Sequence, residues 1–167
     1  MPQWASVKLN GQPLRGEVKP STYTAIRRRW SHGDRIELDL PMEVALLQAH
    51  ALVEETRNHA AVKRGPIVYC LESVDLPKEV AFDEVHLPRS PQWTVRHDPQ
   101  LLGGVTVLET ELVVWPGTGR PPGLYSKIRS QAGGQAAAAS RIRARLVPYY
   151  AWCNRGRGQM TVWLPLD

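Results

Sequence analysis

Apolar side chains recur at every second position along much of this chain, and that spacing restricts it to strands. In "RIELDLP" (35–41), Ile36, Leu38 and Leu40 fall on one face and Arg35, Glu37 and Asp39 on the other. "SHGD" (31–34) supplies a turn before it. "SVKLNGQPL" (6–14) carries an Asn-Gly pair between such runs, the strongest short hairpin signal. "STYTAIRRRW" (21–30) is rich in β-branched and aromatic residues and reads as a strand. "MEVALLQ" (42–48) fits a strand or a helical turn, with Pro41 marking a break before it.

Further along, "AAVKRGPIVYCLESV" (60–74) sets Ile67, Tyr69 and Leu71 against Val68 and Cys70. Both faces are apolar, as in a strand covered on both sides. "GGVTVLETELVVW" (103–115) is a long strand or a strand pair, and "QMTVWLPL" (159–166) is a last strand. The alanine-rich stretch 130–152 favours helix by propensity, but Gly133 and Gly134 interrupt it and arginine alternates with apolar residues from Arg141. It reads as a loop over 131–139 and a strand over 141–152, after a Pro/Gly loop at 116–130. With 13 glycines and 14 prolines spread along the chain, many short strands and no long amphipathic helix, the pattern predicts an all-β protein: an antiparallel β-sandwich, jelly-roll-like.

One question decides whether the chain carries chemistry of its own. Cys70 needs a base to become a thiolate nucleophile. Sequence spacing neither supplies nor excludes one of the five histidines (32, 50, 59, 86 and 97). None of them forms a pair spaced for a metal, and Cys70 and Cys153 make no CxxC pair. Cysteine among apolar neighbours is most often a small buried side chain. Glu72 shares the strand face of Cys70, where a strand-end salt bridge or a turn contact explains it. Glu109 and Glu111 lie at i and i+2 on one face, and a solvated strand edge explains them as well as an acid pair for glycoside hydrolysis does. "GTGRPPG" (117–123) lacks the lysine and the strand–helix setting of a phosphate loop.

A net charge of +5 raises nucleic-acid binding, but basic residues cluster only in "IRRRW" (26–30) and "RIRAR" (141–145), as solvated strand faces do, so no nucleic-acid partner is expected. No apolar run approaches the roughly 18 residues that a membrane helix needs, and no membrane partner is expected. Six tryptophans against one phenylalanine is an unusual ratio. Such rings fill a core or stack on sugars, with the core the favoured reading. The sugar-contact candidates are Trp93 and, in the dense run "PYYAWCNRG" (148–156), Tyr149, Tyr150 and Trp152.

Four stretches taken together carry a family resemblance: "PQWASVKLNGQPL", "YTAIRRRWSHGDRIELDLPMEV", "VKRGPIVYCLESVD" and "LVPYYAWCNRGRGQMTVWLP". In this order they resemble the C-terminal end of glycoside hydrolase family 127, whose best-known members are β-L-arabinofuranosidases. The resemblance covers 2–75 and 146–165 well and 76–145 loosely. It implies an N-terminal (α/α)6 barrel followed by β-sandwich domains. In the barrel a cysteine thiolate is the nucleophile, a glutamate is the acid/base, and cysteines and a glutamate hold zinc. None of those residues has a matching position here, so the chain alone is expected to be inactive, with no catalytic, cofactor or metal residue and with zinc expected only in the catalytic domain of the parent. Cys70 matches a cysteine of the sandwich signature, and Cys153 stands where relatives commonly carry a small residue such as alanine.

The resemblance also implies that Met1 is an internal residue or an artificial start. Residues 1–56 are then the C-terminal part of a first β-domain and 57–167 a second sandwich. The expected partner is the catalytic barrel of the parent; a homodimer through an open sheet edge and an arabinose-containing glycan are further candidates. Two cysteines 83 positions apart with no CxxC pairing read as reduced thiols, which gives a cytoplasmic expectation.

Overall fold

The computed structural model describes residues 5–14, 21–116 and 138–167. Two compact units divide the chain, Met1–Glu43 and Val44–Asp167. Strands and short 3-10 turns make up both, and no α-helix occurs among the described residues. The all-β, antiparallel expectation holds.

The first unit is a three-stranded sheet in the order β2-β1-β3, from β1 (Ser6–Leu9), β2 (Gln12–Pro13) and β3 (Ile36–Asp39). Asn10 and Gly11 form the hairpin turn with φ of 50° and 76°. Two successive positive φ values define the turn whose twist matches the flanking strands. The Asn10 side chain accepts from the Arg35 N–H and donates to Asp34, each at 2.8 Å, tying the hairpin to the turn before β3. Val7 pairs with Leu38 and Leu9 with Ile36, so these four share one face. The expected alternation is therefore present, yet Ile36, Leu38 and Leu40 are 50–60% exposed, because no second layer covers them among the described residues of this unit. Residues 21–30, expected as a strand, form none. Their β-branched content has no neighbouring strand to pack on, and β propensity expresses little else.

The second unit is a curled antiparallel sheet. Its strands are β4 (Val44–Leu47), β5 (His59–Arg64), β6 (Ile67–Glu72), β7 (Val85–His86), β8 (Thr94–Asp98), β9 (Val105–Val114), β10 (Ser140–Pro148), β11 (Met160–Thr161) and β12 (Trp163–Pro165). Gly65, at φ 55°, opens the two-residue turn that joins β5 to β6. β6 pairs with β10 along one edge and with β5 and then β11 along the other. β10 runs beside β9 over seven positions, Ser140↔Val114 to Leu146↔Leu108. β8 and β7 share the far edge of β9, and β12 lies on β5. A parallel bridge between Leu87 and Leu166 closes the circuit, with the Leu87 N–H donating to Pro165 at 2.8 Å.

The curl encloses Val62, Tyr69, Leu71, Leu108, Leu112 and Leu146 in one core. A smaller core on the other face of β6 holds Cys70, Val105, Val107, Val147 and Ala151. Thus β6 is covered on both sides, as its sequence requires. Each such aliphatic side chain contributes about 1.5–3 kcal/mol by leaving water.

Two sequence expectations meet a definite answer here. The long run at 103–115 is a single ten-residue strand. The strand read over 141–152 ends at Pro148, and Tyr149–Ala151 make a 3-10 turn. The two compact units meet at Glu43/Val44, and Val44–Leu47 pairs with β5, Leu46 opposite Val62. The loops read at 116–130 and 131–139 fall almost wholly outside the described residues, as does Trp4.

Candidate functional site

Cys70 is fully buried, and its Sγ contacts the Val147 carbonyl at 3.7 Å. Burial, reinforced by the nearby Glu72 charge, pushes its thiol up to about 12. Only about one molecule in 10⁵ would carry the thiolate at neutral pH. Cys70 is a core side chain and not a nucleophile. Both cysteines are free thiols, Cys153 being exposed.

Glu72 is the more informative residue. It ends β6 with its carboxylate buried, 6% exposed as a residue. One oxygen accepts the Cys153 N–H at 3.0 Å, and the other accepts Arg155 Nε at 3.1 Å and Arg155 Nη2. Asp75, on the 3-10 turn Ser73–Asp75, accepts Arg155 Nη1 at 2.8 Å and Arg145 Nε at 2.9 Å. The Asp75 contacts, joined by those to Glu72, outweigh the opposing effect of burial and leave the Arg155 guanidinium more firmly protonated than usual. Outward, Arg145 reaches Asp98 at 3.8 Å, and Arg96 bridges Asp98 at 3.1 Å and Glu109 at 2.9 Å. Seven alternating charges therefore run from the buried end of β6 to the exposed faces of β8 and β9. The salt bridge proposed for Glu72 is present, and Arg155 is the partner that sequence reading did not name.

Glu109 and Glu111 each face an arginine, Glu111 lying 3.6 Å from Arg141. They belong to ion-pair ladders across β8, β9 and β10. Two open clefts flank this face. One of about 450 Å³ is lined by Asp75, Pro77, Glu109, Arg143 and Arg145, and one of about 280 Å³ by Ser90, Gln92, Glu109, Glu111 and Arg141. No group of three or more His, Cys, Asp or Glu converges on a metal-sized site among the described residues. A zinc ion of the kind the resemblance implies therefore has no ligand set in them.

The four sugar-contact candidates separate. Trp93 is half-buried and packs on the larger core. Tyr149, Tyr150 and Trp152 stand together on the turn after β10, exposed by 45%, 68% and 37%. Tyr149 and Trp152 stack, with centroids 6.3 Å apart and planes at 27°. Tryptophan does little of the core filling expected of it. Trp30 lies under the Arg28 guanidinium, and Trp115 is exposed and donates to Asp167 at 2.9 Å. Among the described residues, the fully buried apolar side chains are aliphatic apart from Tyr69 and Cys70.

Residues 44–165 match the model of the glycoside hydrolase family 127 C-terminal domain, and residues 1–42 match that of the β-L-arabinofuranosidase GH127 middle domain. The chain belongs to glycoside hydrolase family 127. It is 30% identical over 171 residues to the non-reducing end β-L-arabinofuranosidase of Bifidobacterium longum subsp. longum, spanning 98% of this chain and 25% of that protein. A solved glycoside hydrolase superposes with a TM-score of 0.82 at 37% identity, covering 99% of this chain and 26% of its own. A family 127 β-L-arabinofuranosidase from Geobacillus stearothermophilus T6 gives 0.75 at 33% identity, covering 99% and 25%. The chain thus spans about a quarter of the length of these relatives. The match to the C-terminal domain model begins at Val44, where the second compact unit begins.

Proposed function

We propose that this chain is the non-catalytic C-terminal β region of a longer β-L-arabinofuranosidase-like protein, where it supports a catalytic domain carried elsewhere in the polypeptide. The carrying observation is the succession of a middle-domain match over 1–42 and a C-terminal-domain match over 44–165 in a chain a quarter as long as its relatives. The inert Cys70 and the arginine-paired carboxylates support the same reading. In it, zinc and the cysteine nucleophile belong to the catalytic domain. The test is to assay the 167-residue chain alone for release of arabinose from β-L-arabinofuranosides. No turnover is expected, and turnover comparable to that of a full-length relative would overturn the reading.

A second reading, sugar binding, is favoured by the exposure of Tyr149, Tyr150 and Trp152. Tryptophan fluorescence followed during titration with arabinose-containing oligosaccharides tests it. An unchanged signal up to millimolar sugar removes it.

A further inference from the structure

The turn that carries the exposed rings is held far more firmly than a solvent-facing loop requires. Below it, Ala151 is buried in the smaller core beside Cys70. Asn154 Nδ2 donates to the Ala151 and Trp152 carbonyls, both at 3.1 Å. Cys153 adopts the left-handed conformation, φ 64°, which a non-glycine residue keeps only when its surroundings over-determine it. Here the Glu72 carboxylate captures the Cys153 N–H, and Arg155 locks Glu72 to Asp75. Burying such charges is costly, and removing either partner would leave the other unpaired. The result is a rigid turn that holds two tyrosines and a tryptophan outward.

Two kinds of occupant suit such rings. A sugar site is concave, with polar groups converging on the ligand. Neither described cleft is lined by Tyr149, Tyr150 or Trp152; both lie toward the arginine–glutamate face. Tyr149 and Trp152 stack on one another while both stay partly open to solvent, so the pair presents apolar ring surface outward. A preorganised projection of Tyr and Trp is the anchor chemistry of a protein–protein interface. The relatives are about four times as long as this chain, which supplies protein surface for such an anchor within one polypeptide.

We propose that the Tyr149–Trp152 turn is the face on which the catalytic domain of the longer polypeptide docks. This rests on the supporting role proposed above. The experiment compares amide hydrogen exchange in the 167-residue chain and in the longest in-frame polypeptide encoded with it. Exchange over 149–157 should slow by at least about tenfold in the longer form. Tyr150→Ser with Trp152→Ser should abolish that gain, while Leu52→Ser, at another exposed apolar position, should not. Because these side chains are exposed, the variants keep the fold, which the 167-residue chain verifies by its own unchanged unfolding midpoint. Protection arising at other segments, with 149–157 unchanged, would refute the docking face and leave the supporting role standing. No protection anywhere would refute both. Protection of 149–157 only when an arabinose-containing oligosaccharide is added to the short chain would make the turn a sugar site and overturn the proposal.

Discussion

Arg155 places its Nε 3.1 Å from a carboxylate oxygen of Glu72, although 83 residues separate them in sequence. The same guanidinium reaches Asp75, and the side chains involved are nearly closed to solvent, 12% exposed for Arg155 and 8% and 2% for the two acids. Two buried carboxylates thus depend on one arginine, with Arg145 as the second cation on Asp75.

Replacing Arg155→Met should cost about 3–5 kcal/mol, because it strands the buried Glu72 carboxylate and leaves Asp75 with Arg145 alone. Urea unfolding at neutral pH measures this. Adding Glu72→Gln to the same variant should recover part of the loss, since one stranded charge is then gone. A double variant no more stable than Arg155→Met would show that lost packing, and not charge, dominates.

Arg96→Gln provides the contrast. Its partners Asp98 and Glu109 lie at the exposed end of the ladder, where water screens the pairs. The unfolding midpoint should stay within experimental error, and a loss as large as that of Arg155→Met would contradict this.

The Cys70 thiol should resist alkylation in the folded chain while Cys153 reacts, and both should react in denaturant. Burial raises the folded thiol from 9.0 to about 12, so between those values the native state holds a proton that the unfolded state has released. Stability should therefore fall as pH rises from about 9 toward 12, with a slope near 1.4 kcal/mol per pH unit. The buried Tyr69 hydroxyl, also raised, adds a fall of the same sign, so the cysteine's share is the difference from Cys70→Ala. Identical pH profiles for the two proteins would exclude the effect.

The apolar face formed by Val7, Leu9, Ile36 and Leu38 should make the 167-residue chain self-associate. Sedimentation velocity at micromolar concentration should show species larger than a monomer, and Leu38→Lys should reduce them. A wild-type chain that sediments as a clean monomer would sink this expectation.

Much of the architecture was legible in residue order because strand rules are local. The Asn10–Gly11 turn needs only two residues that tolerate positive φ. β6 shows its two-sided burial by having Tyr69 and Leu71 alternate with Cys70, and the same alternation argued against a nucleophile there. By contrast, 21–30 carries strand-forming residues without a strand, since a ladder needs a partner and composition does not provide one.

What the sequence by itself determined is the period-two pattern, the hairpin, the structural role of Cys70 and the family, each written in contiguous residues. Only the tertiary structure decided that Val44–Leu47 belongs with β5, that Glu72 answers to Arg155, and that Tyr149, Tyr150 and Trp152 face outward while Trp93 packs inward. The physical reason is common to all three. Strand pairing, ion pairing and burial are relations between side chains distant in sequence, and they exist only once the sheet has curled and brought them together.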